Sequence, residues 1–564
     1  MSSIPTPAVV AQAAVRRLPR YALLLFCLAY ILPGFIGREP WKNQDMSAFG
    51  VMRELAYGES NWFAPTLIGQ ALEFPALLPY WLGAWAIQLC PAWFPIDFAV
   101  RVPFGGFLAL TLAATWYGVY YLACKPAAQP VAFAFGGEAQ PNDYARALAD
   151  GGLLAMVAML GLAQLSHETT PAVAQLAFTA LLFFAYSISF SHKLRIAGMA
   201  ALMASTGLAL SGVPAFGLSL ALAGAVARLL QSDVYARRWA AYFAALGLSA
   251  AALTYLLGMW HAQLGVLPAS VLAWRNWARM LVWFTWPAWP LAIVALWKWR
   301  AWWRSLHILL PAGMALVIVC ATLIAPNPDR TLLLATPMLA CLAAFALPTL
   351  QRSVTALIDW FTLLFFSSCG LVIWVVWIAL QTGVPAQPAA NVRRLLPGFE
   401  PSFGWLAFIA ALAATAAWLW LVKWRAGRHR DALWKSLVLP ASGAAMSWLL
   451  LMTLWMPLLN FARSYAPLVR QVAQYMGPQS CVHAYGLTQG QMAAFAFHGA
   501  MKLRVLQQQS QCPWLIVDAD AANKAYSTLD MRLWTLRSTM RRPSDDNEDV
   551  LLFERNAASS RLSP

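Results

Sequence analysis

Charge is scarce in this 564-residue chain: only 11% of its residues are Asp, Glu, Lys or Arg, where a soluble domain carries about a quarter. Acidic residues are the scarcer sign, 23 against 39 basic ones, and 60% of the chain is hydrophobic. With a mean hydropathy of +0.58, this composition excludes a soluble globular protein. The chain also lacks a GxxxxGKS phosphate loop, which argues against a nucleotide-driven pump, and it lacks HExxH and CxxC spacing, so no zinc motif is written in it. No internal repeat or low-complexity tract occurs. Alternating ten-residue strands are absent too, which excludes a membrane β-barrel.

What is there is a series of apolar runs rich in Leu, Ala, Trp and Phe, of the length a helix needs to cross a bilayer. The expected fold class is therefore an α-helical polytopic membrane protein. About thirteen spans are expected, near residues 21–35, 100–124, 151–166, 171–190, 196–212, 213–230, 239–259, 279–297, 305–325, 331–350, 355–383, 402–422 and 436–459. The first has a basic segment before it but no small-x-small cleavage pattern after it, and it reads as a retained helix. The segment 75–94, PALLPYWLGAWAIQLCPAWF, is apolar enough to span, yet it carries three prolines.

Charge sidedness decides its place. If 75–94 lies flat on the outer surface, basic clusters such as Arg16, Arg17 and Arg20, Arg237 and Arg238, Lys298 to Arg304, and Lys423 to Lys435 all collect on the cytoplasmic side. Counting it as a span would put most of them outside. The N-terminus is thus expected inside, 75–94 as an interfacial helix, and residues 460–564 outside. The net charge of +16 is explained by orientation in the membrane and not by nucleic acid. The location expected for the chain is therefore a membrane, with a cytoplasmic N-terminus and the C-terminus on the outer side.

After residue 459 the pattern changes. Ser464–Met476 reads as an amphipathic helix, CVHAYG and WLIVD as buried strands, Gln489–His498 as a helix and DVLLFER as a closing strand, which makes a small α/β domain over 460–564. Six of the eight cysteines lie in or beside apolar segments as small packing residues. Cys481 and Cys512 fall in the polar region, where a disulfide fits an extracytoplasmic location.

Between the first two spans, from Phe35 to Arg101, runs a loop holding six carboxylates: Glu39, Asp45, Glu54, Glu59, Glu73 and Asp97. Asp45 sits in WKNQDMSAFGVMREL, just before a segment of helical periodicity. Its carboxylate is either an N-cap of that helix or a general base at the membrane surface. The SHETTP turn holds His167 and Glu168, and NPDRTLL places Arg330 at the opening of a span. Their plain alternatives are a solvated turn and an interfacial anchor. The 29 tryptophans are read chiefly as an aromatic belt.

These residues carry a resemblance. Pro40, Trp41, Lys42, Gln44 and Asp45, then Asn61, Trp62, Pro65, Thr66, Leu67 and Gly69, then Glu73, Phe74, Pro75, Leu77, Tyr80 and Trp81, then Asp97 and Arg101 follow in order and spacing the first outer loop and second span of GT-C glycosyltransferases. The branch is that of lipid A aminoarabinose transferases and protein O-mannosyltransferases. The resemblance implies a transmembrane transferase domain over 1–459 with its catalytic loop at 36–99, and a periplasmic domain over 460–564. Two departures stand out: the usual Asp-Glu pair is Gln44-Asp45, and the Lys of the E-K-P-P motif is Phe74.

The resemblance also implies the chemistry: an inverting transfer of a sugar from a polyprenyl phosphate to a lipid-linked glycan, lipid A or another envelope acceptor. Phosphate is a good leaving group, so one carboxylate suffices to deprotonate the acceptor, and Asp45 is the expected base. Arg38, Lys42, Arg275 and Arg330 are the expected cations for the phosphate. Glu73, Tyr80, His167 and Glu168 are expected to support the substrates, and Asp45, Glu73, His167 and Glu168 are the side chains to which a divalent metal ion would bind. Membrane lipids are expected partners and nucleic acid is not. A transporter or flippase, or a non-catalytic GT-C relative, are the alternative functions.

Overall fold

The computed structural model describes residues 5–190, 193–231, 234–260, 265, 267–426, 432–477, 479–505, 512–545 and 548–556. The basic residues Arg428 and Arg430 and the polar tail after 556 lie outside this set. The chain packs as two compact units: Met1–Ile36, Pro103–Val372 and Leu406–Thr453 form one, and Gly37–Val102, Ile373–Trp405 and Leu454–Pro564 form the other.

The first unit is a helical bundle. Among the described residues six helices are long and apolar enough to cross a membrane: Ile96–Ala123, Pro171–Ile188, Ala236–Leu256, Arg352–Thr382, Trp405–Arg425 and Lys435–Leu454. The pair Val271–Phe284 and Ala288–Lys298 bends by 87° at Pro287, which has no N–H to continue the helical ladder. Five shorter apolar helices accompany them, Arg20–Gly34, Leu194–Leu210, Pro214–Leu229, Leu306–Ala321 and Thr336–Thr349. The apolar segments expected to span are thus helical, and helices satisfy every backbone group without water. Six or seven of them have full spanning length, against the thirteen expected. The chain is a multi-pass membrane protein.

Helix Pro171–Ile188 is the centre of this unit, with 89% of its apolar window buried. Close approach there depends on small residues: a Cβ on Gly207 would stand 2.4 Å from Phe178 Cδ1, so only glycine lets the two helices meet. Helix Trp405–Arg425, by contrast, turns apolar side chains such as Leu406, Leu412 and Leu419 outward. An outward apolar face is stable in hydrocarbon and not in water.

The second unit gathers the loop after the first helix and the C-terminal residues. A helix over Gln44–Ala56 is followed by a two-stranded hairpin, β1 (Thr66–Leu67) and β2 (Gln70–Ala71), and by a helix over Leu78–Gln88. This last helix has 11 residues, about 16 Å at 1.5 Å per residue, and is too short for a bilayer core of about 30 Å. The C-terminal part is an α/β domain with strands β3 (Cys481–Tyr485), β4 (Lys502–Val505), β5 (Trp514–Asp518), β6 (Trp534–Arg541) and β7 (Asp549–Arg555). They are ordered β4-β3-β5-β7-β6, with β3 parallel to β4 and β5, and β7 antiparallel to β5 and β6. The central strands read CVHAY and WLIVD because both faces are covered. Helix Gln489–His498 makes the crossover from β3 to β4, started by a capping box between Thr488 and Gln491. Cys481 and Cys512 are joined in a disulfide.

Candidate active site

Asp45 lies in the first turn of helix Gln44–Ala56 and does not cap it. The N-cap residue is Asn43, whose backbone turns to φ 65° and whose side chain makes no capping bond. Asp45 Oδ2 instead accepts two hydrogen bonds, from Arg38 Nη2 at 3.1 Å and from the Trp41 amide at 3.0 Å. Both side chains of this ion pair are buried, Arg38 at 0% and Asp45 at 2% exposure. The guanidinium and the N–H fix the direction of this buried carboxylate.

The Arg38 guanidinium also stacks on the Trp41 ring, 3.8 Å from its centroid. Arg101, buried at the start of helix Ile96–Ala123, faces Asp97 at 3.4 Å and lies within electrostatic reach of Asp45 and Arg38. Two arginines and two carboxylates therefore balance one another around Asp45. Asp97 and Arg101 are visible in sequence as a D-x-x-x-R motif, yet nothing in the sequence alone ties them to Asp45.

The other residues expected in the loop have definite partners. Lys42 Nζ sits on Asp545 at 2.8 Å and on Glu548 at 3.3 Å. Glu73 is exposed, and its amide donates to Gln489 Oε1 at 3.3 Å. Tyr80 is buried and donates its hydroxyl to the Phe74 carbonyl at 2.9 Å. Burial, with Glu73 nearby, pushes the Tyr80 phenol up and keeps it a donor. The aromatic side chains of the loop pack together: Trp62 stacks on Trp85, Phe63 meets Trp81 edge-on, and Trp81 Nε1 donates to the Trp62 carbonyl at 2.6 Å.

In the first unit, Glu168 and Arg330 form an ion pair of 2.6 Å, and Arg330 also donates to Thr170 Oγ1 at 3.1 Å. His167 is buried beside them in sequence. Its Nδ1 faces the Ala163 carbonyl at 2.5 Å and its Nε2 the Tyr30 carbonyl at 3.1 Å. Gly34 gives the ring its space, because a Cβ there would stand 2.2 Å from His167 Cδ2. SHETTP is therefore a buried turn and not a solvated one. Arg275 lies exposed on helix Val271–Phe284, with no ion pair among the described residues.

Among the described residues no three His, Cys, Asp or Glu side chains gather so as to hold a metal ion. Asp45 and Glu168 are each engaged by an arginine, and both His167 nitrogens face carbonyls.

The fold of this chain has counterparts among solved structures. It is shared with ArnT from Cupriavidus metallidurans bound to undecaprenyl phosphate, at 14% identity and a TM-score of 0.64 over 96% of this chain and 99% of that one. The same protein in its apo state matches at 14% identity with a TM-score of 0.60, covering 96% and 98%. The arabinosyltransferase EmbB from Mycobacterium smegmatis overlays 79% of this chain and 42% of its own, with 14% identity and a TM-score of 0.40. No family model matches the sequence, and no curated protein does.

Proposed function

We propose that this protein is an inverting glycosyltransferase that moves a sugar from a polyprenyl phosphate to a lipid-linked or envelope acceptor at the periplasmic face of a bacterial inner membrane. The observation that carries the reading is the Asp45 carboxylate, fixed by Arg38 and the Trp41 amide, in a chain that shares its fold with ArnT over 96% of its length. In this reading residues 1–459 are the transferase domain, 36–99 its catalytic loop, and 460–564 a periplasmic domain, with the N-terminus in the cytoplasm.

Asp45 takes the proton of the acceptor hydroxyl as its oxygen attacks the anomeric carbon, and the bond from that carbon to the phosphate oxygen breaks on the opposite side. The polyprenyl phosphate leaves with the electron pair, so the configuration inverts. Lys42 and Arg330 are each engaged by carboxylates and Arg38 by Asp45 itself. Arg275, exposed and without a carboxylate partner among the described residues, is a further candidate cation for a phosphate.

The test is Asp45→Asn in a deletion strain, with envelope lipids read by mass spectrometry. The modified lipid disappears while the variant protein stays in the membrane at wild-type level. Product that persists removes Asp45 as the base, and a transport defect without any lost sugar favours a flippase.

A further inference from the structure

The short turn from Trp41 to Gln44 sets the direction of Asp45, because the Trp41 amide is one of the two donors on Oδ2. That turn is gripped from several sides by residues more than 400 positions later. The Lys42 amide donates to the Arg463 carbonyl at 2.8 Å. Trp41 Nε1 and the Glu39 amide both donate to Asn460 Oδ1 at 3.1 Å. The Tyr465 hydroxyl donates to Asn43 Oδ1 at 3.1 Å. Gly490 lies so close that a Cβ there would stand 2.8 Å from the Asn43 carbonyl oxygen.

The Lys42 ammonium completes the grip on Asp545 and Glu548. Those carboxylates are themselves fixed by Arg542, whose side chain is 2% exposed and which reaches Asp545 at 3.1 Å, Glu548 at 2.5 Å and the Ala462 carbonyl at 3.0 Å. Ser544 Oγ donates to the same carbonyl at 2.6 Å. Two cations and two carboxylates make a neutral cluster with one buried member, and neutralising part of it strands the remainder.

We propose that Arg542, Asp545 and Glu548 are positioning residues for Asp45, acting through Lys42 and the Trp41 amide, so that the C-terminal domain is part of the catalytic base's mounting. The proposal rests on the reading of Asp45 as the base. A displacement of about 1 Å at a reacting group costs on the order of a hundredfold in rate, so the grip on this turn is felt in transfer.

Two measurements on the full-length protein test it. Amide hydrogen exchange of the segment 40–47 is followed in nanodiscs, and the modified lipid is quantified by mass spectrometry in the complemented deletion strain. Asp545→Asn combined with Glu548→Gln, and separately Lys42→Met, raise exchange in 40–47 and lower product by about tenfold or more; Lys42→Arg, which restores the charge, returns exchange in 40–47 toward wild type. Unchanged exchange in the double variant overturns the grip. Raised exchange with full product, in a strain where Asp45→Asn still abolishes product, overturns the positioning role. If Lys42→Met alone loses product and the double variant keeps it, Lys42 serves the phosphate directly and the proposal falls. Product retained by Asp45→Asn instead sinks the base reading, whatever the exchange data show.

Discussion

Glu54 receives the Ile68 amide on both of its carboxylate oxygens, at 2.9 and 3.1 Å. Ile68 and Gly69 form the two-residue turn between β1 and β2, with φ of 51° and 72°. The left-handed region suits glycine, but a β-branched residue enters it only when its surroundings hold it there. The Glu54 carboxylate supplies that hold from the last turn of the helix that begins at Gln44.

Burial pushes the Glu54 carboxyl up from 4.5 to about 7, against the opposing Ile68 hydrogen bond. A carboxyl whose folded value is raised binds more protons folded than unfolded, so its contribution is fully present below about 4.5 and is lost as pH rises through about 7. Amide exchange of residues 66–71 should therefore quicken between pH 5 and pH 8 beyond the intrinsic increase. Glu54→Gln should remove that extra dependence. A wild-type profile with no excess over the variant would show that the carboxyl does not titrate there.

Arg38→Ala leaves the Asp45 carboxylate buried with one of its donors gone. Breaking one side of a buried pair costs about 3–5 kcal/mol, so the thermal transition of the purified protein should fall by several degrees and sugar transfer should drop with it. Arg38→Lys should recover part of the stability, because an ammonium restores charge but not the planar stack on Trp41.

Gly34→Ala drives a methyl into His167 and into Trp448, whose Cζ2 would be 2.7 Å away. Overpacking of this kind costs about 1–3 kcal/mol. Gly106→Ala, which meets nothing within 4 Å, is the control and should leave the melting temperature nearly unchanged. Equal effects of the two substitutions would refute tight packing at His167.

The disulfide from Cys481 to Cys512 closes a loop with a sequence separation of 31, for which a loss of about 2–4 kcal/mol on removal is expected. Cys481→Ser should make the segment after residue 480 more sensitive to protease. Reduction of the wild-type protein should reproduce that sensitivity, with no further effect on the variant.

Much of this was legible in the residues. Long apolar runs with few charges leave helices as the only economical structure, and helices stand at the expected segments. CVHAY and WLIVD were readable as strands because continuous apolar runs mark strands covered on both faces. β4 and β6 were not, since KLRV and WTLRSTMR alternate charge with apolar residues on exposed or half-covered ground. At the site, Asp45 and its loop were marked by motif order. Its hold by Arg38 was not, because an arginine seven positions away can face any of six carboxylates until the backbone turns at Asn43. Asn460, Tyr465, Arg542, Asp545 and Glu548 carry no motif at all, and only the folded chain brings them to Lys42 and its neighbours.

The bond from Lys42 to Asp545 joins residues 503 positions apart, and this has a consequence for biosynthesis. The loop bearing Asp45 leaves the ribosome long before the strand pair that flanks its partners. Between the two events the apolar helices of the bundle after the first must enter the bilayer. The Asp45 turn thus waits, without these supports, while the intervening residues are made, and contacts of such separation form late. A chain stalled before those strands would carry an inserted bundle and an Asp45 turn that lacks these supports, so the strands made after the bundle complete the setting of that turn.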